Sequence, residues 1–294
     1  MRLAAVRTEA GLAIGLVASD QTGVQVLDSA AGTVDDVVRG QVSVAALGHL
    51  AGGVPLVPIH SVSLASPLQR FNRDILCTGW NYLDHFHEST GKREGQDPPA
   101  MPSRPTFFTK GPGTVVWPAA PIAFDERLSR QWDYEAEIAV VIGRDGRSIP
   151  PERAWEHVFG FLLANDVSLR DVQRAHGGQW LKGKSVDQTM PLGPWLTTLD
   201  EIGDVAALDI ECELNGALVQ RATAGEMAFP IERLIAELSH GMMLRAGDVV
   251  LTGTPSGIGN ARDPALFLRA GDVLITRSEA LGQLRNTVIS MALA

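Results

Sequence analysis

The pattern of apolar and polar positions in this chain changes every few residues, and short strand-like runs outnumber helical ones. Residues 1–65 alternate brief apolar runs, at 12–17 and 23–27, with Gly and polar turns, and 33–50 predicts a helix. The Pro-, Ser- and Val-rich run 54–68 has the composition of a linker and divides a small N-terminal domain, 1–66, from a larger one, 67–294. Beyond it, 75–82 predicts a strand and 83–88 a helical turn. Short strands at 105–109 and 115–117 flank the turn Lys110-Gly111-Pro112-Gly113. Ser148, Pro150 and Pro151 signal a helix start running to 158, and 159–167 is a second apolar strand. Leu208, Ile210, Cys212 and Leu214 alternate with Asp209, Glu211 and Glu213 before the turn Asn215-Gly216, which predicts a hairpin with its acids toward solvent. After Pro230, the residues Ile231, Leu234, Ile235, Leu238 and Met242 mark one buried helical face. The turn-into-strand segments 245–252 and 269–276 resemble each other, and the whole reads as strand-rich α+β.

One stretch breaks the pattern. Residues 133–143 read as a buried strand, yet Glu135 and Glu137 stand on one face with Ala139 and Val141, while Ile138, Val140 and Ile142 form the other. Burying two ionised carboxylates costs several kcal/mol in roughly any estimate unless a cation neutralises them. A divalent metal would do so. An edge strand turned toward water would equally accommodate the pair, and the strand alone leaves both readings open.

Other candidates lie where apolar segments end. Asn165-Asp166 closes the strand 159–167, and Arg170 and Gln173, three apart, share a helical face beyond it. Gly183-Lys184-Ser185 follows. His85 and Glu88, also three apart, precede the polar, Gly- and Pro-rich stretch 89–104, which reads as a lid. The loop 253–259 lacks the Gly-x-x-x-x-Gly-Lys-Ser/Thr order of a phosphate loop, so it suits a small ligand near Thr254 or a plain turn.

Composition narrows the setting more than the chemistry. The net charge of −9 is spread without a basic cluster, which argues against a nucleic-acid partner. No run approaches a membrane span, the N-terminus lacks a signal-like core, and Cys77 and Cys212 sit in apolar runs as reduced thiols, so a cytoplasmic protein with no membrane partner is expected.

Taken together, Asn81-Tyr82 with His85 and Glu88, Asp133-Tyr134-Glu135-x-Glu137, Asn165-Asp166 with Arg170 and Gln173, Gly183-Lys184-Ser185 and Gly253-Thr254-Pro255-x-Gly257 resemble the fumarylacetoacetate hydrolase family over roughly residues 67–290. The resemblance implies a mixed β-sandwich roll with a small N-terminal α/β domain, and a homodimer. It assigns Glu135, Glu137 and Asp166 to a divalent cation, and an all-oxygen set favours Mg²⁺ or Mn²⁺, with Ca²⁺ possible. Asn81 stands where some members carry a further metal-binding aspartate, so a three-carboxylate site is expected. The likeness makes His85 and Glu88 a water-activating pair, Lys184 an oxyanion stabiliser, and Arg170, Gln173 and Thr254 the groups that hold a 2-oxo acid substrate. The implied activity is hydrolysis of a carbon–carbon bond in a 1,3-diketo acid through an enolate. The alternatives within the family are a 2-oxo acid decarboxylase and an isomerase of unsaturated 2-oxo diacids.

Overall fold

The computed structural model describes residues 1–92, 98 and 100–293. Its main sheet comprises β1 (Arg2–Thr8), β2 (Gly11–Val17), β3 (Gly23–Val26), β4 (Leu56–Pro58), β5 (Ile75–Gly79), β6 (Thr106–Lys110), β8 (Ala136–Ile142), β9 (Val158–Asn165), β10 (Met190–Thr198) and β13 (Val249–Leu251). These lie in the order β4-β3-β2-β1-β10-β9-β8-β13-β5-β6. Pairing is antiparallel except where β13 runs parallel to β5. A second sheet orders β12 (Ala217–Thr223), β11 (Asp209–Leu214), β14 (Val273–Ser278), β15 (Gly282–Ser290) and β7 (Ile122–Phe124). The chain is therefore strand-rich α+β with mixed sheets, as the sequence pattern predicts.

Strand β8 is the centre of this arrangement, and all seven of its residues are buried. Its Ile138, Val140 and Ile142 join a core with Ile210, Cys212 and Leu274 of the second sheet. On the opposite face, Ala139 and Val141 pack in a core with Leu162, Leu192 and the N-terminal Leu3, Val34 and Val37. A strand covered on both faces shows a continuous apolar run, and Glu137 within it does not stand on a solvent-facing sheet surface. That removes the edge-strand reading of Glu137.

The N-terminal strands extend the main sheet directly, because β1 pairs with β10 through Arg2↔Thr197 and Leu3↔Leu196. The single helix predicted over 33–50 is two, α1 (Val34–Val38) and α2 (Val44–Leu50). Gly40, at φ +72°, takes a left-handed conformation between them. Thr33 and Asp36 form a capping box that starts α1. The segment after Pro150 is a 3₁₀ helix, Pro151–His157. Glu211 and Glu213 lie on the half-exposed face of β11, opposite its buried apolar face, and both pair with Arg277 at 2.6 Å. The helix opened by Pro230 ends at Ser239, so Met242 packs on the core from outside it.

Gly160, in β9, lies so close to β10 that an added Cβ would sit 2.1 Å from the Thr197 carbonyl oxygen. Backbone cannot yield as a flexible side chain can. Gly160→Ala is therefore expected to destabilise the fold by about 1–3 kcal/mol, read as a lower thermal midpoint. An unchanged midpoint would mean the β9–β10 register is looser than described.

Candidate metal centre

Two paired strands carry the acids to one place. Glu135 precedes β8, Glu137 lies within it, and Asp166 follows β9, whose Ala164 and Asn165 pair with Glu137 and Ala136. The Asn165 side chain fixes this junction, accepting from Glu135 N at 3.0 Å and donating to Thr276 Oγ1 at 2.9 Å. As a result, one oxygen from each of Glu135, Glu137 and Asp166 lies within 4.8 Å of the others, and all three residues are buried.

Cations surround two of these acids. Lys184 Nζ bridges Glu135 Oε2 at 2.6 Å and Asp166 Oδ2 at 2.7 Å. Arg170 contacts Glu135 Oε1 at 2.6 Å and donates through Nε to Asp133 Oδ2 at 2.8 Å. Lys110, fully buried, donates to Asp166 Oδ1 at 2.7 Å and to the Val167 carbonyl at 2.8 Å. Glu137 differs. Its Oε2 accepts from Gly253 N at 2.6 Å, and among the described residues no Lys or Arg lies within ion-pair reach of it.

The titration behaviour follows from that asymmetry. Burial would raise the Glu135 carboxyl, but Arg170 and Lys184 prevail and hold it down to about 2. Glu137 goes the other way: burial first, then the charges of Asp166 and Glu135, push it well above the carboxylate range. Burial would lower Lys184, yet Asp166 and Glu135 raise it above an ordinary lysine, so it stays an ammonium. A site with one carboxylate short of positive charge, built wholly of oxygen donors, fits a divalent cation of the Mg²⁺, Mn²⁺ or Ca²⁺ kind.

The remaining predicted residues converge on the same space. His85 and Glu88 lie on α3 (Leu83–Glu88), with His85 Nδ1 2.9 Å from Glu88 Oε1. Glu88 Oε2 in turn accepts from Gly257 N at 2.7 Å, so the loop 253–259 anchors an acid at each end. Arg170 and Gln173 lie on α4 (Arg170–Ala175) and meet at 3.3 Å. Lys184 ends α5 (Leu181–Lys184), whose Gly183 has no room for a Cβ against the Gln173 backbone, 2.4 Å away. A cavity lined by His85, Glu135, Glu137, Arg170, Gln173 and Lys184 also touches Thr254. The Thr254 hydroxyl is already engaged, donating to the Ala136 carbonyl and accepting from Gln220. Asn81 binds Phe229 and Thr252 main chain and takes no part in the acid cluster. Of the stretch 89–104 read as a lid, residues 93–97 and 99 lie outside the described residues.

Two participants escaped the sequence reading. Lys110 closes β6 but is masked by the turn residues Gly111 and Pro112 that follow it. Asp133 accepts from Tyr134, Gly259 and Asn260 amides besides Arg170, and only its place beside Glu135 hinted at a role.

Opposite shifts at Glu135 and Glu137 give opposite pH dependences. With its folded pKa raised, Glu137 contributes stability that is complete below its ordinary value of 4.5 and is lost as pH rises through the raised value. Glu135, lowered to about 2, contributes stability above 4.5 that is lost as pH falls toward 2. In metal-free protein, Glu137→Gln is therefore expected to raise the thermal midpoint at neutral pH and flatten its decline with pH. Mn²⁺ should raise the wild-type midpoint, more so at higher pH because binding displaces a proton, and leave the variant nearly unmoved. Equal Mn²⁺ stabilisation of both proteins would contradict the site.

Comparison with known proteins agrees with the geometry. Residues 74–289 match the sequence model of the fumarylacetoacetate (FAA) hydrolase C-terminal region. The chain is 40% identical over 230 residues to oxaloacetate tautomerase YisK of Bacillus subtilis, covering 78% of this chain and 74% of that protein. It is also 40% identical over 241 residues to the human mitochondrial oxaloacetate tautomerase FAHD2A, covering 82% and 74%. Among solved structures, a fumarylacetoacetate hydrolase from Exiguobacterium antarcticum matches with a TM-score of 0.85 at 32% identity, covering 99% of this chain and all of that one. The maleylpyruvate hydrolase of Sphingobium sp. SYK-6, solved with manganese(II) and pyruvate, matches with a TM-score of 0.79 at 26% identity over 99% and 100%. The two relatives compared are oxaloacetate tautomerases, while the two structures compared are hydrolases. Among the described residues no helix is long and apolar enough to cross a membrane. By fold, by buried carboxylate cluster and by sequence, this chain belongs to the fumarylacetoacetate hydrolase family.

Proposed function

We propose that the protein is a divalent-metal-dependent tautomerase that interconverts the keto and enol forms of oxaloacetate or a closely related 2-oxo acid. The observation that carries this reading is the opening of Glu135, Glu137 and His85, the last paired with Glu88, onto one cavity. The tautomerase relatives supply the direction.

Tautomerisation moves one proton from carbon 3 of the acid to its 2-oxo oxygen. A cation held by Glu135, Glu137 and Asp166 would supply Lewis-acid polarisation of the 2-oxo group. The protein's own groups do the rest. Gln173 Oε1 accepts from Arg170, which leaves its NH₂ for a substrate carboxylate. With Glu88 accepting from Nδ1–H, His85 presents Nε2 as a base able to take the carbon-bound proton and return it to oxygen. Glu88, itself held by Gly257 N, fixes that tautomer. Lys184, bridging Glu135 and Asp166 as an ammonium, can stabilise negative charge developing on the substrate oxygen.

A second reading, hydrolysis of a 1,3-diketo acid, draws on the same pair, since a histidine oriented by a carboxylate can equally activate water. Its specific support is the likeness to maleylpyruvate hydrolase.

The decisive assay follows decay of enol oxaloacetate by ultraviolet absorbance with Mg²⁺ or Mn²⁺, alongside pyruvate release from an acylpyruvate. Metal-dependent acceleration of the enol decay is expected. His85→Ala should lower kcat roughly 10²–10⁴-fold, and Glu137→Ala should abolish the metal dependence. No acceleration over buffer, with rapid pyruvate release instead, would replace tautomerisation by hydrolysis.

A further inference from the structure

We infer that the site accepts 2-oxo acids bearing a flat apolar substituent, such as an aryl ring, where oxaloacetate carries its second carboxylate. This rests on the 2-oxo acid reading above for the head group and adds the chemistry of the tail.

The head-group cavity does not end at the carboxylates. It continues into a cleft of about 580 Å³, and the two share Trp80, His85, Phe108, Arg170, Gln173 and Trp180. A four-carbon diacid anchored at Arg170 would leave most of that cleft to water. Ligand sites of this size ordinarily enclose larger, partly apolar molecules.

One wall of the extension is aromatic, while Ser89, Thr106, Thr109 and Arg174 make other parts of its lining polar. Trp180 meets Trp80 edge to face at 5.1 Å and Phe108 at 5.1 Å, and Trp80 meets Phe86 at 6.2 Å. Each of Trp80, Phe107, Phe108 and Trp180 remains only partly buried, and Leu181 beside them is 47% exposed. These rings present apolar surface to the cleft that a flat ligand tail would cover. Gln179 and Asn260 give the outer rim a polar edge.

The wall is also built into the backbone. Trp80 sits at φ +57°, a left-handed conformation that costs a tryptophan energy and is held only where surrounding packing imposes it. Trp180 lies against Gly79, where an added Cβ would come within 2.6 Å of the ring. Trp180 N-caps α5, whose last residue is Lys184. One short helix therefore carries an aromatic wall at its start and the carboxylate-bridging ammonium at its end, which sets the tail subsite at a fixed distance from the head group.

Benzoylformate tests this, because it joins a 2-oxo acid head to an aryl ring and has no carbon-bound proton to lose. Its affinity and that of pyruvate are measured by calorimetry with Mg²⁺ on wild type, Trp180→Ala and Trp180→Phe. Wild type should bind benzoylformate about tenfold or more tightly than pyruvate, a difference of about 1.4 kcal/mol. Trp180→Ala should cost benzoylformate about tenfold more affinity than it costs pyruvate, and Trp180→Phe, which keeps a flat ring, should retain most of the advantage. Equal affinity for the two ligands, or equal loss of both in Trp180→Ala with no rescue by Phe, would overturn the tail subsite. Enolisation of phenylpyruvate is followed in parallel: selective aryl binding without turnover of phenylpyruvate or oxaloacetate would leave the subsite standing and remove the tautomerase reading.

Discussion

A cluster of buried like charges governs this structure. Glu135, Glu137 and Asp166 lie in a dry interior with Asp133 close by, and Lys110, Lys184 and Arg170 face them. Removing one partner from such a cluster leaves a buried charge uncompensated, at a cost of about 3–5 kcal/mol. The balance is nevertheless uneven, because among the described residues the cations pair with Glu135, Asp166 and Asp133, while Glu137 is held by the Gly253 amide with no Lys or Arg in ion-pair contact. A fold stabilised for its own sake would not keep that imbalance next to two apolar cores. It is intelligible as a place for one more positive charge.

Loops complete what the strands begin. The amides of Gly253, Gly257 and Gly259 each donate to an acid, namely Glu137, Glu88 and Asp133. Gly253 and Gly257 adopt positive φ, and a Cβ on Gly257 would strike the Val219 carbonyl oxygen, so a side chain is excluded where the backbone must approach. Through this one loop the His85–Glu88 pair on α3, the acid in β8 and the Asp133–Arg170 pair share a common support.

Much of this was legible before any coordinates. Period-two alternation located β11, and the break in alternation at Glu135 and Glu137 located the site, because acids in a strand with two apolar faces need an explanation. The spacing of His85 to Glu88 and of Arg170 to Gln173 correctly placed each pair on one helical turn. Lys110 was not legible, since a lysine next to Gly and Pro reads as a surface turn, and only the long-range approach of β6 to Asp166 buries it. The division of 33–50 into two helices hinged on one glycine, which local propensity alone underweights. The pairing of β1 with β10 is equally a long-range fact, with nearly two hundred residues between partners, as in Leu3↔Leu196.

The most direct test of the account is anomalous diffraction at the manganese edge from crystals grown with Mn²⁺ and oxalate. The predicted result is a single strong peak bounded by carboxylate oxygens of Glu135, Glu137 and Asp166, with oxalate on its open side toward Arg170 and Gln173. A peak elsewhere, or none at this cluster, would contradict it.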